Sequence, residues 1–198
     1  MSMIPEKPPF KLLDILYKKE FILFVVLVSI LIINSNISPY FLDLYNLIDS
    51  TFLFSEKAII ALTMTFVIIA RQIDLSVASI IAVSSCVLGY TTSLGYDTWL
   101  VISLTLLSGA LCGAFNGAII TKFAIPSIIV TIGTMSLFRG LAYSFLEDSY
   151  YNKFPKLVSN LGGGYLFGYI PYAFLTFIIL AIIFAFILHK TSVGKKIY

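Results

Sequence analysis

Few residues in this 198-residue chain could do chemistry, because most of it is apolar. Arg71 and Asp74 lie three positions apart in Arg71-Gln72-Ile73-Asp74-Leu75-Ser76, between the apolar runs Ala58 to Ala70 and Val77 to Tyr90. Asp74 or Ser76 can accept free backbone N–H groups where the next helix begins, a position that also favours negative charge. A charged break of this kind is either a very short loop at a membrane face or a helix interrupted inside a bundle. Asn116, Thr131, Thr134 and Arg139 are further candidates among the polar groups within apolar runs. Each is read as helix packing or as a place on a solute path. A cation inside a span is expensive and faces a partner or water. For Arg139 that means an ion pair with Asp97, Glu147 or Asp148, an outer-face anchor, or the lining of a polar cavity.

Catalytic patterns are missing from the sequence. There is no His-Glu-x-x-His, no Gly-x-Ser-x-Gly and no phosphate-cradling Gly-x-x-x-x-Gly-Lys-Ser/Thr. No enzyme activity, metal or cofactor is expected, and ATP hydrolysis would fall to another subunit. His189 is the one histidine, which makes metal binding improbable.

Hydrophobic residues make up 59% of the chain and charged ones 12%, with a mean hydropathy of +0.99. A soluble domain is roughly 45–50% apolar and about 25% charged, so the solvent for most of this chain is lipid. A span takes about 20 apolar residues. The runs predict an all-α polytopic membrane helix bundle of about six spans: 21–33, 58–70, 76–94, 99–120, 126–145 and 170–188. Residues 1–20 read as a cytoplasmic tail, 21–190 as the membrane domain and 191–198 as a cytoplasmic end. The segments Asn34 to Glu56 and Glu147 to Gly168 read as loops, the second kept irregular by Gly162-Gly163-Gly164.

Charge then orients the bundle. Lys7, Lys11, Lys18, Lys19, Arg71, Lys122, Lys190, Lys195 and Lys196, nine of the thirteen cations, fall on one side when the spans alternate. Cations collect in short inner loops, so both termini are expected inside. Gly109, Gly113 and Gly117 repeat every four residues, a small-residue stripe that lets helices approach within the bundle or at a dimer interface. Cys86 and Cys112 lie in apolar runs and read as reduced, packed thiols.

Ile73-Asp74-Leu75-Ser76-Val77, then Asn116-Gly117, then Ile125-Pro126-Ser127 through Arg139-Gly140-Leu141-Ala142 together resemble the permease subunits of ribose-type sugar ABC importers. The match in order and spacing runs from about Ala58 to Tyr198. That resemblance implies a second permease subunit, a cytoplasmic ABC ATPase and an extracytoplasmic solute-binding protein as partners, with membrane lipid around them and no nucleic acid. It also implies a bacterial inner membrane and import of a simple sugar. Arg71-Gln72 and Ala78 stand where this family usually has glycines, which is nearer its rhamnose and autoinducer branch. Family members continue beyond Thr191 to Gly194 into a helix that docks on the ATPase and into further spans. The chain is therefore expected to be the N-terminal portion of such a permease. The alternative is a truncated, non-transporting scaffold or regulatory fragment.

Overall fold

A computed structural model describes residues 19–146 and 150–197. The helices are α1 (Lys19–Ile37), α2 (Leu44–Ile69), α3 (Val77–Ser93), α4 (Thr98–Phe123), α5 (Ser127–Leu146), α6 (Lys156–Gly163), α7 (Tyr172–Lys190) and α8 (Ser192–Ile197). Two residue pairs, β1 (Tyr165–Leu166) and β2 (Ile170–Pro171), form a small antiparallel hairpin before α7. Among the described residues, α1, α2, α4, α5 and α7 are long and apolar enough to cross a membrane. The remaining apolar helix, α3, has 17 residues. At about 1.5 Å per residue it is only some 26 Å long, short of the ~30 Å hydrocarbon layer. The chain is a polytopic membrane helix bundle, as the apolar runs predict.

The described residues form two compact units, 19–50 and those from 51 onward, with the boundary inside α2. Within the first, α1 runs past the polar residues expected to end it. The side-chain amides of Asn34 and Asn36 and the hydroxyl of Ser35 donate back to the carbonyls of Ile30 and Ile32. Polar side chains satisfied on their own helix do not stop it.

Two other expectations are corrected. The segment Asn34 to Glu56 is not a loop throughout, because α2 already starts at Leu44 and carries Asp49, Glu56 and Lys57 within it. Of the segment Glu147 to Gly168, the described residues 150–155 are irregular but those from Lys156 are not. Gly162 and Gly163 close α6, and Gly164 caps it by donating its N–H to the Asn160 carbonyl at 2.7 Å. Glycine is costly inside a helix and useful at its end.

In the second unit α3, α4 and α5 pack as a trio. Val83, Cys86, Phe138 and Ala142 form its core, flanked by Ile80, Ala82, Cys112 and Leu146. Both cysteines are free, and the Cys86 thiol lies 3.6 Å from the Ala142 carbonyl oxygen. The other grouping in this unit is the pair of α7 and the 51–69 part of α2, which meet through rings. Phe54–Phe174 and Phe66–Phe184 are edge-to-face at 6.1 and 5.2 Å, and Phe52 stacks on Tyr165 at 6.4 Å.

Candidate functional site

The stretch from Ala70 to Ser76 leaves helical geometry and ties three helices together. It begins with a Schellman cap on α2. The Arg71 N–H donates to the Ile68 carbonyl at 2.9 Å and the Gln72 N–H to the Val67 carbonyl at 3.0 Å. That cap needs a residue in the left-handed region, normally glycine. Here Arg71 fills it with φ 56°. This chain therefore places an arginine in a conformation costing about 1–2 kcal/mol for an L-residue. The side chain of Arg71 is exposed.

Beyond the cap, the backbone of Ile73 is clamped to α5. Its N–H donates to Ser127 Oγ at 3.1 Å, and its carbonyl lies 3.3 Å from the hydroxyl of Thr131. Asp74 Oδ1 then accepts both the Ser76 N–H at 2.8 Å and the Ser76 hydroxyl at 2.6 Å. This is an Asx turn, in which a short carboxylate does the work of a backbone carbonyl. The reading of Asp74 as acceptor at the start of α3 agrees with this geometry. For Ser76 the structure differs: it occupies the N-cap position, but its side chain caps nothing. Its one hydroxyl proton goes to Asp74.

That proton fixes the next bond. Asn116 Nδ2 lies 2.8 Å from Ser76 Oγ. Since the Ser76 hydroxyl already donates to Asp74, it can only accept from Asn116, so the amide nitrogen must face it. Asn116 is 3% exposed, and its Oδ1 is buried without a hydrogen-bond partner among the described residues. Ser76 and Ser79 are fully buried, and the Ser79 hydroxyl donates to the Ser76 carbonyl at 2.7 Å.

At about 1.5 Å per residue, Asn116 lies some 10 Å inside the Phe123 end of α4, and Thr131 about 6 Å inside the Ser127 end of α5. The non-helical segment thus meets α4 and α5 inside their ends, not at them. Non-helical backbone at that depth is tolerated only where protein or a water-filled cavity satisfies it. Ser127, Thr131 and Asn116 supply that here. This is a joint set into the trio from one end.

The other candidate residues lie apart from this junction. Thr134 is buried and its hydroxyl bonds only within α5, to the Thr131 carbonyl at 3.4 Å. Arg139 is exposed and lines a cavity near the other end of α5. Of its expected partners, Asp97 caps α4 through the Trp99 N–H at 3.0 Å, and Glu147 and Asp148 lie outside the described residues. The glycine stripe divides. A Cβ on Gly109 would come within 3.2 Å of Ser84 Oγ on α3, whereas Gly113 and Gly117 have nothing within 4 Å. Packing within the bundle therefore accounts for Gly109 alone.

Three features make contacts that the sequence does not announce. Ser127 was legible only as a hydroxyl directly after Pro126, a residue type suited to a helix start. Gly89 lies under Tyr151, whose Cδ2 would be 2.5 Å from any Cβ there; nothing local announces this contact. Thr191 to Gly194 is a built corner between α7 and α8. The Thr191 hydroxyl donates to the Ile187 carbonyl at 2.6 Å and accepts the Gly194 N–H at 3.3 Å. A Cβ on Gly194 would collide with the Leu188 carbonyl oxygen, so glycine alone fits.

Comparison with known proteins agrees with this picture. Residues 46–198 match the family described as branched-chain amino acid transport system / permease component. The ribose import permease protein of Haemophilus influenzae is 34% identical over 182 residues, covering 88% of this chain and 55% of that protein. An autoinducer 2 import system permease protein of Klebsiella pneumoniae is 39% identical over 121 residues, 61% of this chain and 36% of that one. Another, from Photorhabdus laumondii, is 31% identical over 175 residues, 87% and 52% of the two chains. The chain spans about half the length of these curated relatives or less. No solved structure matches it. With its apolar helices, its inset junction and a family match over most of its length, the chain is a multi-pass membrane protein belonging to this family of transport-system permease components.

Proposed function

We propose that this chain is a permease component of an ABC importer for a simple sugar or sugar-like solute, carrying it across a bacterial inner membrane. The observation that supports this most is the 34% identity to a ribose import permease over 88% of the chain, alongside two autoinducer 2 permeases. A binding protein delivers the solute from outside, and a separate cytoplasmic ABC ATPase drives the cycle. A second permease subunit completes the path, and its contact takes in the face of α4 that carries Gly113 and Gly117, where an added Cβ meets nothing within 4 Å among the described residues.

The N-in, C-in topology belongs to the same reading. Hydrogen bonds join Ile73 to Ser127 and Ser76 to Asn116, so the Ile69 end of α2, the start of α3, the Phe123 end of α4 and the start of α5 lie together. His189 shares a groove with Leu62, Thr65 and Phe66, which brings the end of α7 to the same side. Arg71, Lys122, Lys190, Lys195 and Lys196 thus gather at one end of the second unit, the end that faces the cytoplasm under the positive-inside rule. The junction inset there suits a gate: movement of the ATPase reaches α3, α4 and α5 through one shared set of hydrogen bonds.

Uptake of labelled D-ribose, L-rhamnose and autoinducer 2 tests the proposal, in cells stripped of their own permeases and supplied with the ATPase and binding protein encoded beside this gene. Accumulation of one of the three is expected. Correct membrane insertion with no accumulation of any of them defeats it.

A further inference from the structure

A second polar place lies in the same trio, at the end away from the junction. A cavity of about 440 Å³ opens between α3, α5 and the segment 150–154. Its lining includes Arg139, Ser85, Tyr143, Tyr150, Tyr151 and Phe154, with apolar residues completing it. Gly89 makes the geometry possible, since any side chain there would push the Tyr151 ring off α3. Arg139 lies about 10 Å inside the Leu146 end of α5. Ser127 and Thr131 of the junction belong to the opposite end of that helix.

We infer that this cavity binds a neutral, pentose- to hexose-sized polyol on its way to the junction. The inference rests on the permease reading and adds a binding place to it. The volume falls in the ~300–1,000 Å³ range of small-ligand pockets. The chemistry of the walls is mixed in the way a sugar is mixed. Flat tyrosine and phenylalanine faces match the C–H face of a sugar ring. The guanidinium can only donate, toward sugar oxygens, while serine and tyrosine oxygens can accept from sugar hydroxyls. An anion would use the guanidinium and leave the aromatic walls idle. The cavity also gives the cation of α5 a wet neighbour, which lowers the cost of an arginine in a spanning helix.

Saturation-transfer difference NMR on the whole chain in lipid nanodiscs tests this, with D-ribose and L-rhamnose as probes. Transfer to the ring C–H protons of at least one sugar is expected. It should fall about tenfold in Ser85→Trp, which fills the cavity from an exposed position, and in Tyr151→Ala. Thr63→Trp, in the separate groove between α2 and α7, should leave it unchanged. No transfer from either sugar, equal transfer in Ser85→Trp, or displacement of the sugar by inorganic phosphate overturns the inference. Uptake measured in parallel separates the two readings. Uptake without transfer removes the cavity site and leaves the permease; transfer without uptake does the reverse.

Discussion

The trio α3–α4–α5 and the pair α2–α7 are all made of apolar helices, but they are held in different ways. In the trio, small residues bring backbones close: Gly109 under Ser84, Cys86 against the Ala142 carbonyl. Buried hydroxyl, amide and carboxylate groups then lock its end. In the pair, large rings meet edge to face, and gaps of about 230 and 170 Å³ remain between the helices. Lipid tails are as apolar as phenylalanine, so burying rings gains little in a membrane; close packing and hydrogen bonds decide which helices stay together. The trio is held by close backbones and hydrogen bonds, and the pair by ring contacts.

The largest expected effect that would sharpen this contrast is Ser76→Val. It removes the acceptor of Asn116 and a donor to Asp74, leaving buried polar groups unsatisfied at about 1–3 kcal/mol each. Unfolding in mixed micelles should show a loss of roughly 2–4 kcal/mol; a loss under about 0.5 kcal/mol means the junction does not hold the trio. Next comes Asp74→Ala, at about 1.5–3 kcal/mol for charge-assisted bonds. Asp74→Asn should cost less than half of that, because one amide oxygen can accept both bonds that Oδ1 now accepts. Equal losses in the two variants would show that the charge, not the acceptor, matters.

On the side of the pair, Phe184→Ala removes an edge-to-face contact worth about 0.5–1.5 kcal/mol. Stability should fall by no more than about 1 kcal/mol, since lipid can replace the ring. A loss as large as that of Ser76→Val would erase the distinction between the two groupings. Arg71→Gly should raise stability slightly, by up to about 1 kcal/mol, by relieving the left-handed arginine. No gain in the same unfolding assay would mean that the Arg71 side chain offsets its own strain. The smallest effect is expected at Gly113→Ala, within about 0.5 kcal/mol for the single chain. Cross-linking between chains through α4 should be the readout that this change alters.

Much of this was legible without coordinates where the signal was local. Apolar runs marked every membrane helix, Asp74 announced a helix start, and Pro126 preceded α5. Boundaries failed where a polar residue could satisfy itself on its own helix, as Asn34 and Asn36 do, or where glycines closed a helix rather than preventing one, as in α6. Asn116, Ser127 and Thr131 could be named as polar groups in spans, but their shared contact with Ile73 and Ser76 could not. Those bonds join residues 40 to 58 positions apart.

The sequence by itself determined that this chain lives in lipid, how its apolar helices alternate with polar breaks, and where its positive charge collects. Composition and period suffice for that, because the cost of exposed backbone in hydrocarbon leaves helices as the only solution. Tertiary structure alone decided that Arg71 caps α2 in a left-handed conformation. It also decided that Ser76 gives its proton to Asp74 and so turns the Asn116 amide, and that Gly89 makes room for Tyr151 beside a cavity. Each depends on which groups the fold brings into contact or hydrogen-bond distance. A pattern of residue types along one strand of chain does not record that distance.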